Sequence, residues 1–206
     1  MSISTYAELQ TAVETWLHRT GDTTISANSP DLIRLGELRI YRDLRIRAME
    51  ASLSSAIASG VVAVPSGYIA LKYAYIDGTP VRDLQRKDAE WIYYNYQTRS
   101  ADGCPQFIAR DGDNFIFGPY PDSAYTVKGT YYKRLDALSA QNTTNWFTTN
   151  APDLLLWAAL AEAEPFVLND DRALMWEAKY KLVKDRVQRE DDEEEQSGSP
   201  LFMTRR

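Results

Sequence analysis

The chain has 206 residues, of which 44% are hydrophobic and 12% aromatic, and its formal net charge is -6. This composition predicts one globular domain with room for an insertion, and no apolar run approaches the roughly 20 residues that span a bilayer. Because the chain has one histidine and one cysteine, Cys104, it excludes an internal disulfide and a thiolate or imidazole metal cluster. We therefore expect a soluble protein made in the cytoplasm, with no cofactor.

The negative charge is concentrated near the carboxyl end. Residues 190–195 are all acidic, so that Glu190–Arg206 carries -4 and the rest of the chain only -2. A nearly neutral body argues against a protein that binds nucleic acid over its whole surface, although a local basic patch is left open. Since this segment has no apolar period before Leu201, it predicts a flexible acidic arm.

The amino-terminal part predicts two helices. Apolar residues at three- and four-residue spacing predict a first helix, capped by Ser4 or Thr5. Small polar residues predict a loop at Gly21–Asn28, and the Ser-Pro-Asp sequence at residues 29–31 has the cap, proline and acid of a helix start. We therefore expect the second helix to run from there to about Arg45.

The second predicted helix is rich in arginine, and two interpretations remain open. One is a cationic surface that contacts DNA or a neighbouring subunit. The other is a solvated face whose arginines pair with Glu37, Asp43 and neighbouring helices, which is the commoner explanation of a charge run. The residues assigned to the possible contact are Arg34, Arg39, Arg42 and Arg45.

From Glu50 onward the pattern predicts short strands. β-branched and aromatic runs are separated by turn sequences such as Asp77–Gly78, and a helical segment interrupts them at Gln85–Tyr96. We therefore expect a small antiparallel β module that contains one short helix. The predicted strands are Val61–Val64, Tyr68–Ile76, Val81–Leu84, Phe107–Arg110, Phe115–Phe117 and Tyr125–Lys133.

The strongest helical pattern covers Asn145–Lys184. Asn150 is expected to cap the helix that follows it, because its side chain can accept from the free amides of the first turn. Pro165 is expected to kink that helix or to end it near Glu164. The acidic cluster Asn169–Asp171 predicts the cap of a further helix.

Together these patterns predict an α+β protein that is mainly a helical bundle of about four helices, with a small antiparallel β-rich insertion and an extended carboxy-terminal arm. Residues 1–49 are expected to form the first part of the bundle and residues 50–138 the insertion. Residues 139–189 are expected to complete the bundle, and residues 190–206 to form the flexible arm.

No pattern in the sequence predicts an enzyme. The sequence has no phosphate-binding glycine loop, no nucleophile elbow and no paired-histidine motif. Asp111–Asn114 superficially suggests a calcium loop, but Phe115 occupies a ligand position, so a hairpin turn is the better interpretation. His18 has no obvious nucleophile beside it, and strand packing explains the many tyrosines better than base stacking does. We expect no catalytic, cofactor or metal site.

Four segments, in this order, resemble the head-to-tail adaptor proteins of tailed bacteriophages, also called connector or head-completion proteins. They are Asp31–Glu50, Pro65–Gly78, Gly103–Ser139 and the capped helical pair that follows Asn145. The segments cover most of the chain, and their ordered combination carries the resemblance. None of them contains a catalytic residue.

This resemblance implies a structural virion protein at the head–tail interface, made in the host cytoplasm. It implies a ring of copies, commonly twelve, beneath the portal protein, with tail or nozzle proteins on the far face. A transient contact with genomic DNA in the channel is a separate hypothesis that rests on the arginines of the second helix. The alternative is a DNA-contacting accessory protein of the virion or packaging machinery that uses the basic second helix. A carboxy-terminal arm would dock on the portal, because apolar side chains on a flexible segment can fold onto a partner groove. The arm residues are Ser197, Pro200, Leu201, Phe202, Met203, Arg205 and Arg206.

Overall fold

A computed structural model describes residues 3–97, 102–167 and 170–196 of the chain. These residues form two compact units. The helical unit combines the residues before Met49 with those after Arg134, and the β unit is Met49–Arg134. Among the helices of the described ranges, none has the length and apolarity that a membrane crossing requires.

Six helices fall within the described residues, and all but the third lie in the helical unit. Strands make up most of the β unit. The helices are α1 (Tyr6–Trp16), α2 (Thr23–Asp43), α3 (Ala89–Asn95), α4 (Trp146–Asn150), α5 (Pro152–Val167) and α6 (Asp170–Gln196). The strands are β1 (Glu50–Ala56), β2 (Val61–Ala63), β3 (Tyr68–Asp77), β4 (Arg82–Asp83), β5 (Gln85–Arg86), β6 (Asp102–Gly103), β7 (Phe107–Asp111), β8 (Asn114–Gly118), β9 (Tyr120–Pro121) and β10 (Thr126–Lys133).

The strands form two four-stranded sheets and one two-stranded sheet. The first sheet has the order β1-β10-β3-β4, the second has the order β2-β8-β7-β5, and β6 pairs with β9. Most neighbours are antiparallel, but β5–β7 and β6–β9 are parallel. The protein is therefore α+β, but the prediction of a mainly four-helix bundle with a small antiparallel insertion is wrong. The β unit has two sheets and a core of its own.

The core of the β unit is built from side chains of both four-stranded sheets. From the first sheet, alternate residues such as Leu53, Leu71 and Val127 point to one face and are buried. From the second sheet, Phe115 and Phe117 meet them in the same cluster. The second sheet is also covered on its other face, where Ala109 and Ile116 pack with Ile92 of α3 in a separate cluster.

Helix α5 is central to the helical unit, because it contacts α1, α2, α4 and α6. Helices α5 and α2 approach closely at Gly36, where an added Cβ would lie 2.9 Å from the backbone nitrogen of Ala159 and 3.2 Å from the Cβ of Ala158. Small residues on both helices therefore let the backbones come together. The completely buried residues of α5 are Leu154, Leu155, Ala158, Ala159, Leu160 and Ala163.

Thr5 caps α1, as the sequence predicts. Its hydroxyl accepts the N–H of Glu8 at 3.3 Å, and the Glu8 carboxylate accepts the N–H of Thr5 at 3.2 Å. This reciprocal pair satisfies two amides that the start of a helix leaves without partners.

Helix α2 starts at Thr23, so the predicted loop at residues 21–28 is wrong. Asp22 is the cap, and its carboxylate accepts the N–H of Thr24 at 2.9 Å. Pro30 lies inside the helix, where it has no N–H to give to the carbonyl one turn earlier. The Ser29 hydroxyl donates to that carbonyl, on Ser26, at 3.1 Å. The Ser-Pro pair therefore continues the helix that it was predicted to start.

The short helix α4 directly precedes α5, and its own cap is Asn145. The Asn145 side chain accepts the N–H of Thr148 at 3.1 Å, and the Thr148 hydroxyl accepts the N–H of Asn145 at 2.9 Å. Asn150 ends α4 instead of capping α5, and its amide donates to the carbonyl of Trp146 at 3.0 Å. The predicted cap at Asn150 is therefore wrong.

Helix α5 is longer than the sequence predicts. A proline inside a helix removes one backbone hydrogen bond, and the predicted consequence was a kink or an end near Glu164. The helix continues past Pro165 to Val167, so the predicted early end is wrong. The predicted cap at Asn169 lies outside the described residues.

The acidic run is helical as far as the structure describes it. Helix α6 continues through residues 190–195 to Gln196. Arg47 neutralises part of the run, because its guanidinium pairs with Asp191 at 3.4 Å and with Glu194. The positive charge of Arg47 reduces the repulsion among the neighbouring carboxylates. The predicted flexible arm is therefore wrong up to Gln196.

Candidate functional site

Arg39 of α2 joins three helices. Its guanidinium pairs with Glu162 of α5 at 3.3 Å and with Glu177 of α6. Its Cζ also lies 4.4 Å from the centre of the Tyr180 ring, where a cation is attracted to the face of the ring. The structure thus places this predicted contact residue between helices of the same unit.

The electrostatics of this cluster favour its charged forms. Burial works to lower the pKa of the Arg39 guanidinium, but the hydrogen bond and charge of Glu177 outweigh it and raise that pKa. Burial works to raise the pKa of the Glu177 carboxyl, but hydrogen bonds from Arg39 and Lys181 outweigh it and lower that pKa. The Arg39–Glu177 pair is therefore ionised at neutral pH.

Tyr180 completes the cluster on the buried side of α6. Its hydroxyl donates to the Asp43 carboxylate at 2.8 Å, and the side chain is completely buried. Burial, followed by the hydrogen bond to Asp43, raises the pKa of the Tyr180 hydroxyl. Tyr180 is therefore a neutral donor to a carboxylate, which is a stronger hydrogen bond than one between neutral groups.

Arg34 pairs with a buried acid one turn along α2. Its guanidinium lies 3.3 Å from Glu37, whose side chain is 1% exposed. Glu37 also accepts the N–H of Leu138 at 3.1 Å and the side-chain amide of Asn145 at 3.3 Å. Burial raises the pKa of the Glu37 carboxyl, although these three donors oppose the shift. Glu37 therefore ties the segment before α4 to α2.

The last two predicted contact residues differ from each other. Arg45 follows α2 and donates to the carbonyl oxygens of Tyr41 and Leu44 at 2.7 Å and 2.6 Å. Arg42 is exposed, and it makes no hydrogen bond or ion pair with the residues that the structure describes. Arg42 is thus the one of the four to which the described residues supply neither a hydrogen bond nor an ion pair.

A second surface lies on α6, opposite its buried face. Leu174, Met175 and Leu182 are 80%, 45% and 47% exposed, and we call them the α6 apolar stripe. They fall within about 100° of the helix circumference. The sequence prediction did not include this surface. The signal that could have found it is the four-residue spacing of residues 174, 178 and 182, which defines a second apolar side of the helix.

The family model of the SU10 adaptor proteins matches residues 4–203. The chain belongs to this family. The family is one of phage head-to-tail adaptors, so the resemblance drawn from the sequence is confirmed. A search of the curated proteins found no match.

Membership of the SU10 adaptor family gives the chain a phage adaptor role. The family implies interaction with head and tail components of a phage and a location in the virion. It is a structural family, which argues for a non-enzymatic role. The residues of this SU10 adaptor that were assigned to the portal-binding arm begin at Ser197 and lie outside the described residues.

The sequence offered two candidate chemical sites, the Asp111–Asn114 loop and His18. Asp111 pairs with Asn114 across the β7–β8 hairpin, and Gly112 has a φ of 58° in its turn, so the predicted hairpin is confirmed. His18 follows α1 and is exposed. Within residues 3–97, 102–167 and 170–196, no three His, Cys, Asp or Glu side chains come together to hold a metal ion.

Proposed function

We propose that this chain is a structural head-to-tail adaptor that assembles as a ring beneath the portal and joins the capsid vertex to tail components. The observation that carries the proposal is the SU10 adaptor match over residues 4–203. A ring needs two different faces on each subunit, one for each neighbour, and it needs no nucleophile.

The α6 apolar stripe supports an assembled state. Single exposed apolar residues are ordinary, but several on one face of one helix leave apolar area that association can cover. The occupant that we propose is a neighbouring copy of the same chain, because the contact between subunits of a ring joins two different patches. Leu174 is the most exposed of the three and is the proposed centre of the contact.

The portal-binding arm remains a proposal that rests on the sequence. The apolar residues Leu201, Phe202 and Met203 stand between a polar segment and a basic end. Such side chains can supply the buried anchor of a segment that folds onto a partner. Deletion of residues 197–206 is therefore expected to leave the circular dichroism spectrum unchanged and to weaken portal attachment. Equal attachment by the truncated chain would refute the arm.

Electron microscopy of the chain mixed with its cognate portal tests the ring. The expected result is a ring of adaptor density beneath the portal ring. A chain that stays an unbound monomer in the presence of the portal would overturn the proposal. The mixture is the decisive sample because the portal can serve as the template for ring assembly.

The alternative, a DNA-contacting accessory protein, is supported by exposed Arg42 and by Arg34, whose side chain is 44% exposed. Phosphate contacts make such binding steeply dependent on salt. The test is the affinity of the assembled ring for duplex DNA at low salt, with Arg42→Ala as the variant. Undetectable binding, or binding that Arg42→Ala leaves unchanged, would argue against this alternative.

A further inference from the structure

The β unit contains a cleft of about 430 Å³ that the adaptor role does not explain. One wall is residues 68–71 of β3, and the other is residues 86–89, which connect β5 to α3. Residues 108–110 of β7 and Phe115 form the floor. The cleft therefore lies along one edge of β3.

Among the residues that the structure describes, this edge of β3 has no neighbouring strand beside the cleft. In the described chain, β4 pairs with Tyr75 and Ile76 alone, and the N–H of Leu84 reaches the carbonyl of Ala74 at 2.9 Å. The carbonyl of Leu71 on this edge has a side chain as its partner, because the Arg86 guanidinium donates to it at 2.7 Å. Backbone groups of β3 thus face the cleft, and an unpaired strand edge is a template for a further strand.

Three cations line the cleft, and Asp88 is the single acid among its lining residues. Arg86, Lys87 and Arg110 are exposed, and none of them forms an ion pair with a described residue. They are held instead by carbonyl groups and aromatic rings. Arg110 Nε donates to the carbonyl of Gly112 at 3.0 Å. Their charge is therefore not neutralised by the residues that position them.

The rings around the cleft help to decide the class of ligand. The Arg110 guanidinium lies 5.2 Å from the centre of the Tyr68 ring, and Lys87 Nζ lies 5.1 Å from the centre of the Trp91 ring. A single-stranded nucleic acid binds by stacking its bases on open aromatic faces. Since cations already cover a face of each ring, the site favours carboxylates over bases.

We propose that this cleft binds an extended acidic segment of a partner protein. The segment adds as a strand to this edge of β3 and displaces the Arg86 guanidinium from the Leu71 carbonyl. Its carboxylates then contact Arg86, Lys87 and Arg110. Backbone pairing supplies affinity in this mode of recognition, and alternate side chains supply selectivity. The inference goes beyond the proposed ring, because the β unit alone contains every residue that it uses.

Fluorescence anisotropy of the full chain with a synthetic peptide tests the cleft. The probe is a labelled peptide of about seven residues in which glutamate alternates with valine, so that every glutamate lies on one face of the extended strand. We expect saturable binding, with affinity reduced at least about tenfold in the double variant Lys87→Glu, Arg110→Glu. The matched control is the double variant Arg82→Glu, Arg134→Glu, which changes the net charge equally at two exposed arginines of the same unit outside the cleft. It is expected to bind as the wild type does.

Two further probes separate the proposal from its alternatives. Adjacent residues of a strand turn their N–H groups to opposite edges, so two methylated peptides are needed, one N-methylated at the central valine and one at the next glutamate. If a strand is added, one of the two is expected to lose about tenfold in affinity. Absence of saturable binding, equal binding by the double variant, or unchanged binding by both methylated peptides would overturn the proposal. Tighter binding of a lysine peptide or of a short single-stranded oligothymidine would overturn it as well. The test needs neither portal nor ring, so its failure is distinct from a failure of the proposed assembly.

Discussion

The side-chain amide of Gln188 on α6 holds both backbone polar groups of Arg45. Its Oε1 accepts the Arg45 N–H at 3.3 Å, and its Nε2 donates to the Arg45 carbonyl at 3.1 Å. Arg45 directly follows Leu44, the residue that caps the carboxyl end of α2. Helix α6 therefore satisfies backbone groups where the chain leaves α2, at a point where no helix or strand supplies partners for them.

Gln188→Ala is expected to lower the free energy of unfolding by about 1–2 kcal/mol, because both backbone groups of Arg45 lose their partner. Urea denaturation monitored by circular dichroism measures the change. Arg189→Ala on the same helix is the matched control, since Arg189 is exposed, and its effect is expected within about 0.5 kcal/mol. Equal effects of the two substitutions would show that the Gln188 contact contributes nothing.

Gly36→Ala tests the close packing of α2 on α5. Alanine is the better helix former by about 1 kcal/mol, but its Cβ would lie 2.9 Å from the backbone nitrogen of Ala159. We expect a net loss of about 1–3 kcal/mol, because the backbone must move to accommodate the methyl group. Ser26→Ala, at an exposed position of the same helix, is expected to be neutral or slightly stabilising. A stabilised Gly36→Ala variant would contradict the close approach.

The helices could be predicted from the sequence better than their starts. Two start signals compete in α2, and local patterning does not show that Asp22 prevails over the signal at residues 29–31. The Ser29 hydroxyl donates to the Ser26 carbonyl that Pro30 leaves without a partner. The sequence alone does not predict this hydrogen bond. Similarly, α6 continues through its acidic run because of Arg47, which is far away in sequence.

Most strands that the sequence predicts are rich in β-branched and aromatic residues, and the short exposed strand β4 is the exception. The sequence does not predict β1, because this strand is rich in serine and alanine and Leu53 is its one buried residue. Strand β1 pairs with β10, which lies far along the chain. The sequence also misses two-residue strands such as β5 and β9, because they are defined by their neighbours and carry no periodicity.

Charge partners are the least predictable feature of the site. The sequence allows Arg39 to be solvated, paired or in contact with DNA. Its partners Glu162 and Glu177 lie 123 and 138 residues away, beyond the reach of any local pattern. For the same reason the basic cleft of the β unit was not expected, since Lys87 and Arg110 belong to different predicted elements.

The buried carboxyl of Glu37 predicts a specific dependence of stability on pH. Burial raises its pKa above the ordinary 4.5, so the folded state keeps the proton to higher pH than the unfolded state does. The Glu37 contribution to the free energy of unfolding therefore falls as pH rises through the interval between the two pKa values, and it is constant above the folded pKa. Glu37→Gln removes the titration.

Urea denaturation from about pH 4 to about pH 8 measures this contribution as the stability of the wild type minus that of Glu37→Gln. The difference is expected to decrease as pH rises and then to level off. Thr144→Ser, an exposed change without a titrating group, is the control and is expected to give a difference independent of pH. A Glu37→Gln difference that is flat, or that increases with pH, would contradict a raised pKa.

Arg39 and Arg42 lie on the same helix and are expected to behave differently. Arg39→Ala removes two ion pairs and a cation–ring contact from a side chain that is 22% exposed, and we expect a loss of about 2–3 kcal/mol. Arg42→Ala is expected to change the free energy of unfolding by less than about 0.5 kcal/mol. Arg39→Lys should recover part of the loss, because an ammonium lacks the planar fork that contacts two carboxylates. Equal losses for the two alanine variants would refute this assignment.

The α6 apolar stripe gives a prediction that separates assembly from folding. Leu174→Glu combined with Leu182→Glu alters exposed side chains, so the free energy of unfolding is expected to change by less than about 1 kcal/mol. Ring formation on the portal is expected to be lost, because two carboxylates would be desolvated in the contact between subunits.

Arg19→Glu is the matched control for charge, since it also shifts the net charge by about two units at an exposed position of the helical unit. Electron microscopy of each variant with the portal measures assembly, and urea denaturation measures folding. Rings from the stripe variant would show that α6 does not face a neighbour. Loss of rings in both variants would assign the effect to net charge instead of the apolar contact, because they share the charge change and the stripe variant alone alters Leu174 and Leu182.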